Sequence, residues 1–261
     1  MSNRISAKTY WIGYKTIVIK EVKRIVRIWP QTLIPPAITM TLYFVIFGQL
    51  IGRRIGEMGG MSYMDFIVPG LIMLTVITNA YGNITSSFFG AKFGKHVEEL
   101  LISPLPPILM LAGYVTGAVI RALMVGVIVL VTASFFSDIQ IHNMPITLLV
   151  VILTAVVFSL AGFINAIYAE KFDDIAIIPT FVLQPMTYLG GVFFSVELLP
   201  SVWETIALAN PILYMVNAFR YGMLGVSDVA LTTAFGIIAL FMLVLGAVSL
   251  NLLKRGTGLR T

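Results

Sequence analysis

Gly90-Ala91-Lys92-Phe93-Gly94-Lys95 comes nearest to a recognised chemical motif, the glycine loop that cradles phosphate. That loop needs two glycines five apart before the lysine, then Ser or Thr, between a strand and a helix. Here the glycines are four apart, His96 follows, and the surroundings are not strand-to-helix, so no nucleotide site is read there. The same residues open a different feature, Ala91 to Pro107, the longest charged segment between two strongly apolar regions. Phe93, Val97, Leu100 and Leu101 recur at helical spacing, with Lys92, Lys95, His96 and Glu99 on the opposite side. That pattern predicts a short amphipathic helix over about 91–103. Ser103, Pro104, Pro106 and Pro107 end it, because proline lacks the amide donor and clashes with the preceding turn. Such a helix can transmit force to a partner; the plain alternative is a solvated linker.

The elements that hold this segment are set by hydropathy. Of the 261 residues, 58% are hydrophobic and 11% charged, and the mean hydropathy is +0.96. Soluble domains carry about 25% charged residues. Several apolar runs reach the roughly 20 residues that a helix needs to cross a bilayer core. They do not alternate, so helices are expected rather than a β-barrel. The expected fold class is all-α integral membrane. There is no cysteine, which removes thiolate metal sites and cysteine nucleophiles. The first apolar run follows about thirty residues holding seven Lys or Arg, a layout unlike a cleavable signal peptide.

Taken in order, residues 1–30 read as a cytoplasmic N-terminus with an interfacial helix from Ser6 to Trp29, or else a basic flank to the first span. Residues 31–261 read as one transmembrane domain. Six spans are expected, over about 31–51, 63–90, 107–136, 144–169, 175–194 and 231–253. Gly52 to Ser62 reads as a glycine-rich loop, and Pro69-Gly70 as a kink in span 2. The later half of span 2 is polar, with Asn79 and Asn83 among residues that either pack against neighbouring helices or line a path. Span 3 carries Gly113-x-x-x-Gly117, a small-residue packing pattern. It also carries Arg121 near its middle, as a packing residue or as part of a path. Residues 195–228 are too polar and broken for a span, and two short helices dipping into the outer leaflet are expected there.

Orientation follows from charge. With the N-terminus inside, the cytoplasmic segments hold thirteen Lys or Arg: seven before span 1, Lys92 and Lys95, Lys171, and Lys254, Arg255 and Arg260 in the tail. The outer segments hold three, Arg53, Arg54 and Arg220. The positive-inside rule therefore puts both termini and the 91–103 segment in the cytoplasm. The pI of about 9.5 reflects topology, and no nucleic-acid partner is expected. His96 and His142 fall on opposite sides, so neither a metal cluster nor a Ser-His-Asp set can be assembled. No catalytic residue, metal ligand or cofactor site is assigned, and the chain is not read as an enzyme. A secondary carrier is disfavoured by the lack of a clear internal repeat and of chains of acidic residues in the spans.

Phe66-Ile67-Val68-Pro69-Gly70-Leu71, Val97-Glu98-Glu99-Leu100-Leu101-Ile102-Ser103-Pro104, and the late run Leu199-Pro200, Trp203, Asn210-Pro211 and Ala218-Phe219-Arg220 occur in that order across most of the chain. In these motifs the sequence resembles the type-2 ABC exporter permeases (ABC-2) of Gram-negative inner membranes. The resemblance implies a homodimer in the lipid of the inner membrane, with each copy binding one cytoplasmic ABC ATPase subunit that holds the ATP. It implies that the 91–103 helix is the coupling helix. Lys95, His96, Glu98 and Glu99 would then make polar docking contacts, Phe93, Val97 and Leu100 would pack the helix, and Lys92 belongs to the same ATPase-coupling set. It makes residues 195–228 the outer re-entrant helices. Function is thus expected to be export of a lipid, drug or glycan-type substrate; the rival is a self-sufficient channel or carrier with no ATPase.

Overall fold

The computed structural model describes residues 7–258, so Arg260 of the basic tail lies outside the described residues. Among the described residues, the molecule's regular elements are helices apart from one minimal hairpin. Its elements are α1 (Ala7–Arg27), α2 (Trp29–Tyr43), α3 (Gly52–Ile55), β1 (Glu57–Met58), β2 (Met61–Ser62), α4 (Tyr63–Phe93), α5 (His96–Ile102), α6 (Pro107–Ala133), α7 (Met144–Tyr168), α8 (Asp174–Ile178), α9 (Gln184–Tyr188), α10 (Ser201–Leu208), α11 (Pro211–Leu224) and α12 (Leu231–Arg255). A π-helical stretch, Phe44–Ile51, joins α2 to α3 into one continuous helix, Trp29–Ile55. Another, Pro179–Leu183, joins α8 to α9.

Among the described residues, five helices are long and apolar enough to cross a membrane: Trp29–Ile55, α4, α6, α7 and α12. The sixth span expected over 175–194 takes a shorter form. Helix runs only over residues 174–188, about 22 Å at 1.5 Å per residue, and then gives way to turns. Pro179 and Pro185 interrupt its hydrogen-bond ladder, and Gly191 (φ 71°) turns the chain. Residues 195–228 do form two short helices, α10 and α11, after a 3₁₀ turn. The loop expected over 52–62 is the end of a helix followed by the hairpin, whose register pairs Glu57 with Ser62.

α4 is the axis of the fold. Buried residues make up 78% of its most apolar stretch, against 17% for Trp29–Ile55 and 22% for α12, which stay at the periphery. Its start is capped by Ser62, which accepts from the Asp65 amide at 3.2 Å and donates to Asp65 Oδ2 at 2.6 Å, a reciprocal cap of the kind that settles a helix start. Pro69-Gly70 lies inside an unbroken helix. Gly70 is there for proximity: a Cβ would stand 2.6 Å from the Val192 carbonyl oxygen.

Where α4 crosses α7, a Cβ on Gly162 would lie 2.5 Å from Tyr81 O and 2.7 Å from Thr85 Oγ1. Thr85 in turn donates to Gly162 O at 3.1 Å. Small residues let two helix backbones approach in this way. The Gly162→Val variant is expected to lose about 1–3 kcal/mol through overpacking against backbone that cannot move aside. A lower thermal midpoint of the detergent-purified chain measures this; an unchanged midpoint contradicts the contact.

Candidate coupling site and its anchors

α5 is shorter than the 91–103 helix expected, because α4 runs on to Phe93 and the chain then turns at Gly94 and Lys95. Lys95 adopts a left-handed conformation (φ 59°), uncommon for a residue with a side chain. The turn breaks the helical register, so the expected apolar stripe does not form as one face. Val97 is buried, Leu100 and Leu101 are half-buried, and Phe93 is 62% exposed. Lys95, His96, Glu98 and Glu99 are all exposed on α5 or its turn. Glu98 and Glu99 occupy its first turn, where carboxylates suit the helix dipole.

Lys92 and Phe93, expected within the 91–103 helix, lie at the end of α4 and contact the 167–172 segment. Lys92 Nζ donates to the Ile167 and Ala169 carbonyls at 2.6 and 2.8 Å. An ammonium at the free carbonyls of a helix C-terminus satisfies groups that the helix itself cannot. Lys92 therefore ties the end of α4 to the end of α7. Phe93 packs at a tilt against Phe172, ring centroids 4.9 Å apart, and Phe172 meets Phe89 edge-on at 5.0 Å. The second charged loop, Glu170 to Asp174, thus adjoins the first. The Glu170 and Lys171 amides both donate to Asp174 Oδ2 at 2.9 Å, and these bonds hold the Asp174 carboxyl below its ordinary range. Beside α5, a cleft of about 300 Å³ separates α1 from the Ser103-Pro104-Leu105 turn.

α1 does more than flank the first span. Its residues Ile17, Glu21 and Ile25 are buried, and they seat in the groove made by Gly113 and Gly117 of α6. A Cβ on Gly113 would lie 2.8 Å from Ile17 Cγ2, and one on Gly117 would lie 2.5 Å from Glu21 Cβ. The small-residue pattern of α6 is therefore a seat for α1. Glu21, fully buried, accepts from Ser87 Oγ at 2.6 Å and from Arg24 at 3.2 and 3.3 Å. Arg24 Nη2 also donates to Asn83 Oδ1 at 2.6 Å, an oxygen that Arg121 Nη1 approaches at 3.4 Å. Asn79 stays apart, donating to Thr75 O of its own helix at 3.0 Å. Asn83 and Arg121 are thus brought together, and Asn79 is not part of their cluster.

Arg121 lies near the middle of α6, Pro107–Ala133. Asn83 lies twenty residues along α4 from Tyr63, about 30 Å, which is one hydrocarbon thickness. Glu21 was missed in the sequence, although it carried a signal: an acid among basic residues, four residues from both Ile17 and Ile25 on the apolar stripe.

At the opposite end, Arg220, counted among the outer-segment charges, is fully buried on α11. It donates to Gly191 O at 2.5 Å and Asn217 Oδ1 at 3.3 Å. Its guanidinium lies 3.9 Å from the Phe66 ring centroid and 4.0 Å from Asp228. Asp228 also accepts from the Val196 amide at 3.2 Å. The segments around Phe66, Gly191, Asn217 and Asp228 thus meet at one side chain.

The family model for the ABC-2 type transporter matches residues 13–224. The inner membrane transport permease YadH of Escherichia coli (strain K12) is 55% identical over 252 residues, covering 97% of this chain and 98% of that one. Nodulation protein J of Rhizobium leguminosarum bv. trifolii is 26% identical over 215 residues, 82% of each chain. That of Neorhizobium galegae is 23% identical over 230 residues, 88% of each.

Proposed function

This chain belongs to the ABC-2 type transporter family and is a transport permease; within that family, we propose that it is the membrane-spanning subunit of an ATP-driven exporter. It acts as a homodimer in the lipid of the bacterial inner membrane, with both termini cytoplasmic. A separate cytoplasmic ATPase subunit binds each copy and holds the ATP. The cargo is a lipid, drug or glycan-type molecule carried outward.

The observation that carries this reading is the mounting of α5. It presents Lys95, His96, Glu98 and Glu99 outward, while its base is rigidly tied. Lys92 bonds α4 to the α7 terminus, and the Phe89, Phe93 and Phe172 rings lock the two charged loops together. A push on α5 therefore reaches α4, the most buried helix, rather than being absorbed by a slack loop. Closure of the ATPase dimer would move α5 and, through α4, switch the spans between inward- and outward-open arrangements. Docking falls to Lys95, His96, Glu98 and Glu99; Val97 and Leu100 hold α5 on the body of the protein, and Lys92 and Phe93 hold its base.

The Glu99→Lys variant tests this. Reversal of an exposed charge leaves the core untouched, so the permease should remain monodisperse in the membrane. It should lose the co-purifying ATPase, or retain it with ATP hydrolysis uncoupled from transport. Full ATPase assembly together with ATP-dependent transport by this variant would refute the docking assignment. Transport in vesicles without ATP would refute the exporter reading itself.

A further inference from the structure

The groups around Asn83 carry a charge imbalance that force transmission does not use. Arg24 Nη2 and Arg121 Nη1 donate to one oxygen, Asn83 Oδ1, at 2.6 and 3.4 Å, so these two nitrogens stand no more than about 6 Å apart. Lys20 adds a third cation, 3.3 Å from Tyr114 Oη and 4.0 Å from Glu21 Oε1. Among the described residues, Glu21 is the only carboxylate within ion-pair distance of these cations, and Ser87 and Arg24 already engage it. Three positive charges therefore face one negative charge. Two donors also lack acceptors: Nδ2 of Asn83, a residue 1% exposed, and Nε of Arg121. The cluster is not sealed, since the side chains of Arg24 and Lys20 are 27% and 52% exposed.

We infer that Arg24 and Arg121 form a binding site for the phosphate of an anionic phospholipid in the leaflet on the α5 side, with Lys20 at its rim. Guanidinium groups present fixed N–H forks that match phosphate oxygens. We place the cluster at headgroup depth, where lipid phosphates are concentrated, because Asn83 lies about 30 Å along α4 from Tyr63, one hydrocarbon thickness. A bound phosphate offsets the excess charge and gives the unpaired donors acceptors. It also fastens α1 to α4 and α6 through the lipid. The site does not depend on an ATPase partner.

The full chain, reconstituted in nanodiscs, supplies the test. Phosphatidylglycerol added to phosphatidylcholine should raise the thermal midpoint of the wild-type protein by about 3 °C or more. Arg121→Gln should abolish that rise, whereas Lys15→Gln, on an exposed face of the same α1 helix, should leave it intact. Asn83→Asp places a carboxylate between the two guanidiniums. It should raise the midpoint in pure phosphatidylcholine and remove the response to phosphatidylglycerol, and it keeps the proposal testable where Arg121→Gln fails to fold. A wild-type response in both Arg121→Gln and Asn83→Asp overturns the site. So does an equal loss in Lys15→Gln, which would mean diffuse surface attraction. Inorganic phosphate added to phosphatidylcholine nanodiscs should give no shift; an Arg121-dependent shift there would assign the site to a soluble phosphate and overturn the lipid assignment.

Discussion

Replacing Arg220 by methionine will lower the stability of the purified protein by about 3–5 kcal/mol, the usual cost of removing one partner from a buried charged network. Methionine fills similar space, so the loss is one of hydrogen bonds and charge rather than of volume. Gly191 O loses its 2.5 Å donor, and Asp228 loses the cation 4.0 Å away. The Phe66 ring loses its cation as well. Gly191 is among the turns that end the short helix over residues 174–188, so that segment should loosen with it. Arg220→Lys separates charge from geometry. An ammonium keeps the charge but cannot reach the Gly191 carbonyl and Asn217 with one planar fork, so its thermal midpoint should fall between wild type and Arg220→Met. Thermal midpoints from the surviving monodisperse fraction measure both variants. A midpoint for Arg220→Met within a degree or so of wild type would show that the clamp carries no stability.

The Gly117→Leu variant is expected to release α1 from α6. Its Cβ alone would stand 2.5 Å from Glu21 Cβ, with Glu21 Cγ at 2.8 Å, so the helix must move outward. Movement breaks the Glu21–Ser87 and Arg24–Asn83 bonds and strands a carboxylate that was fully buried with its partners. A charge left unpaired costs about 3 kcal/mol, which raises the open population of α1 roughly a hundredfold. Tryptic cleavage at Lys20, Lys23 and Arg24 tracks that population when opening is fast. Cleavage should therefore accelerate strongly, while cleavage elsewhere changes little. Gly236→Leu on α12 is the control, because a Cβ there meets nothing within 4 Å. Equal cleavage rates in the two variants would refute the Gly113 and Gly117 seat.

The amino-acid sequence by itself determined that this is a helical membrane protein, roughly where four of its long helices and the terminal one run, and that a charged segment follows α4. Hydropathy is a sum over neighbours along the chain, so runs of apolar residues suffice for those conclusions. The family was legible for a related reason: the motifs around Phe66, Glu99 and Arg220 are short local strings. Destinations of side chains were not legible, because they depend on which distant segment arrives alongside. The turn at Gly94 and Lys95 divides an apparent single helix, sending Lys92 to the carbonyls of Ile167 and Ala169 and leaving Phe93 largely exposed against Phe172. Arg121 read as a packing or path residue, and only the fold showed that Asn83 of α4 and Arg24 of α1 are the groups beside it. Arg220 counted among the outer-segment charges, and only the fold showed Gly191 and Asp228, 29 positions before it and 8 after it, closing over it. A buried polar group must find its hydrogen-bond partner wherever the packing places one, and only the tertiary structure decides where that is.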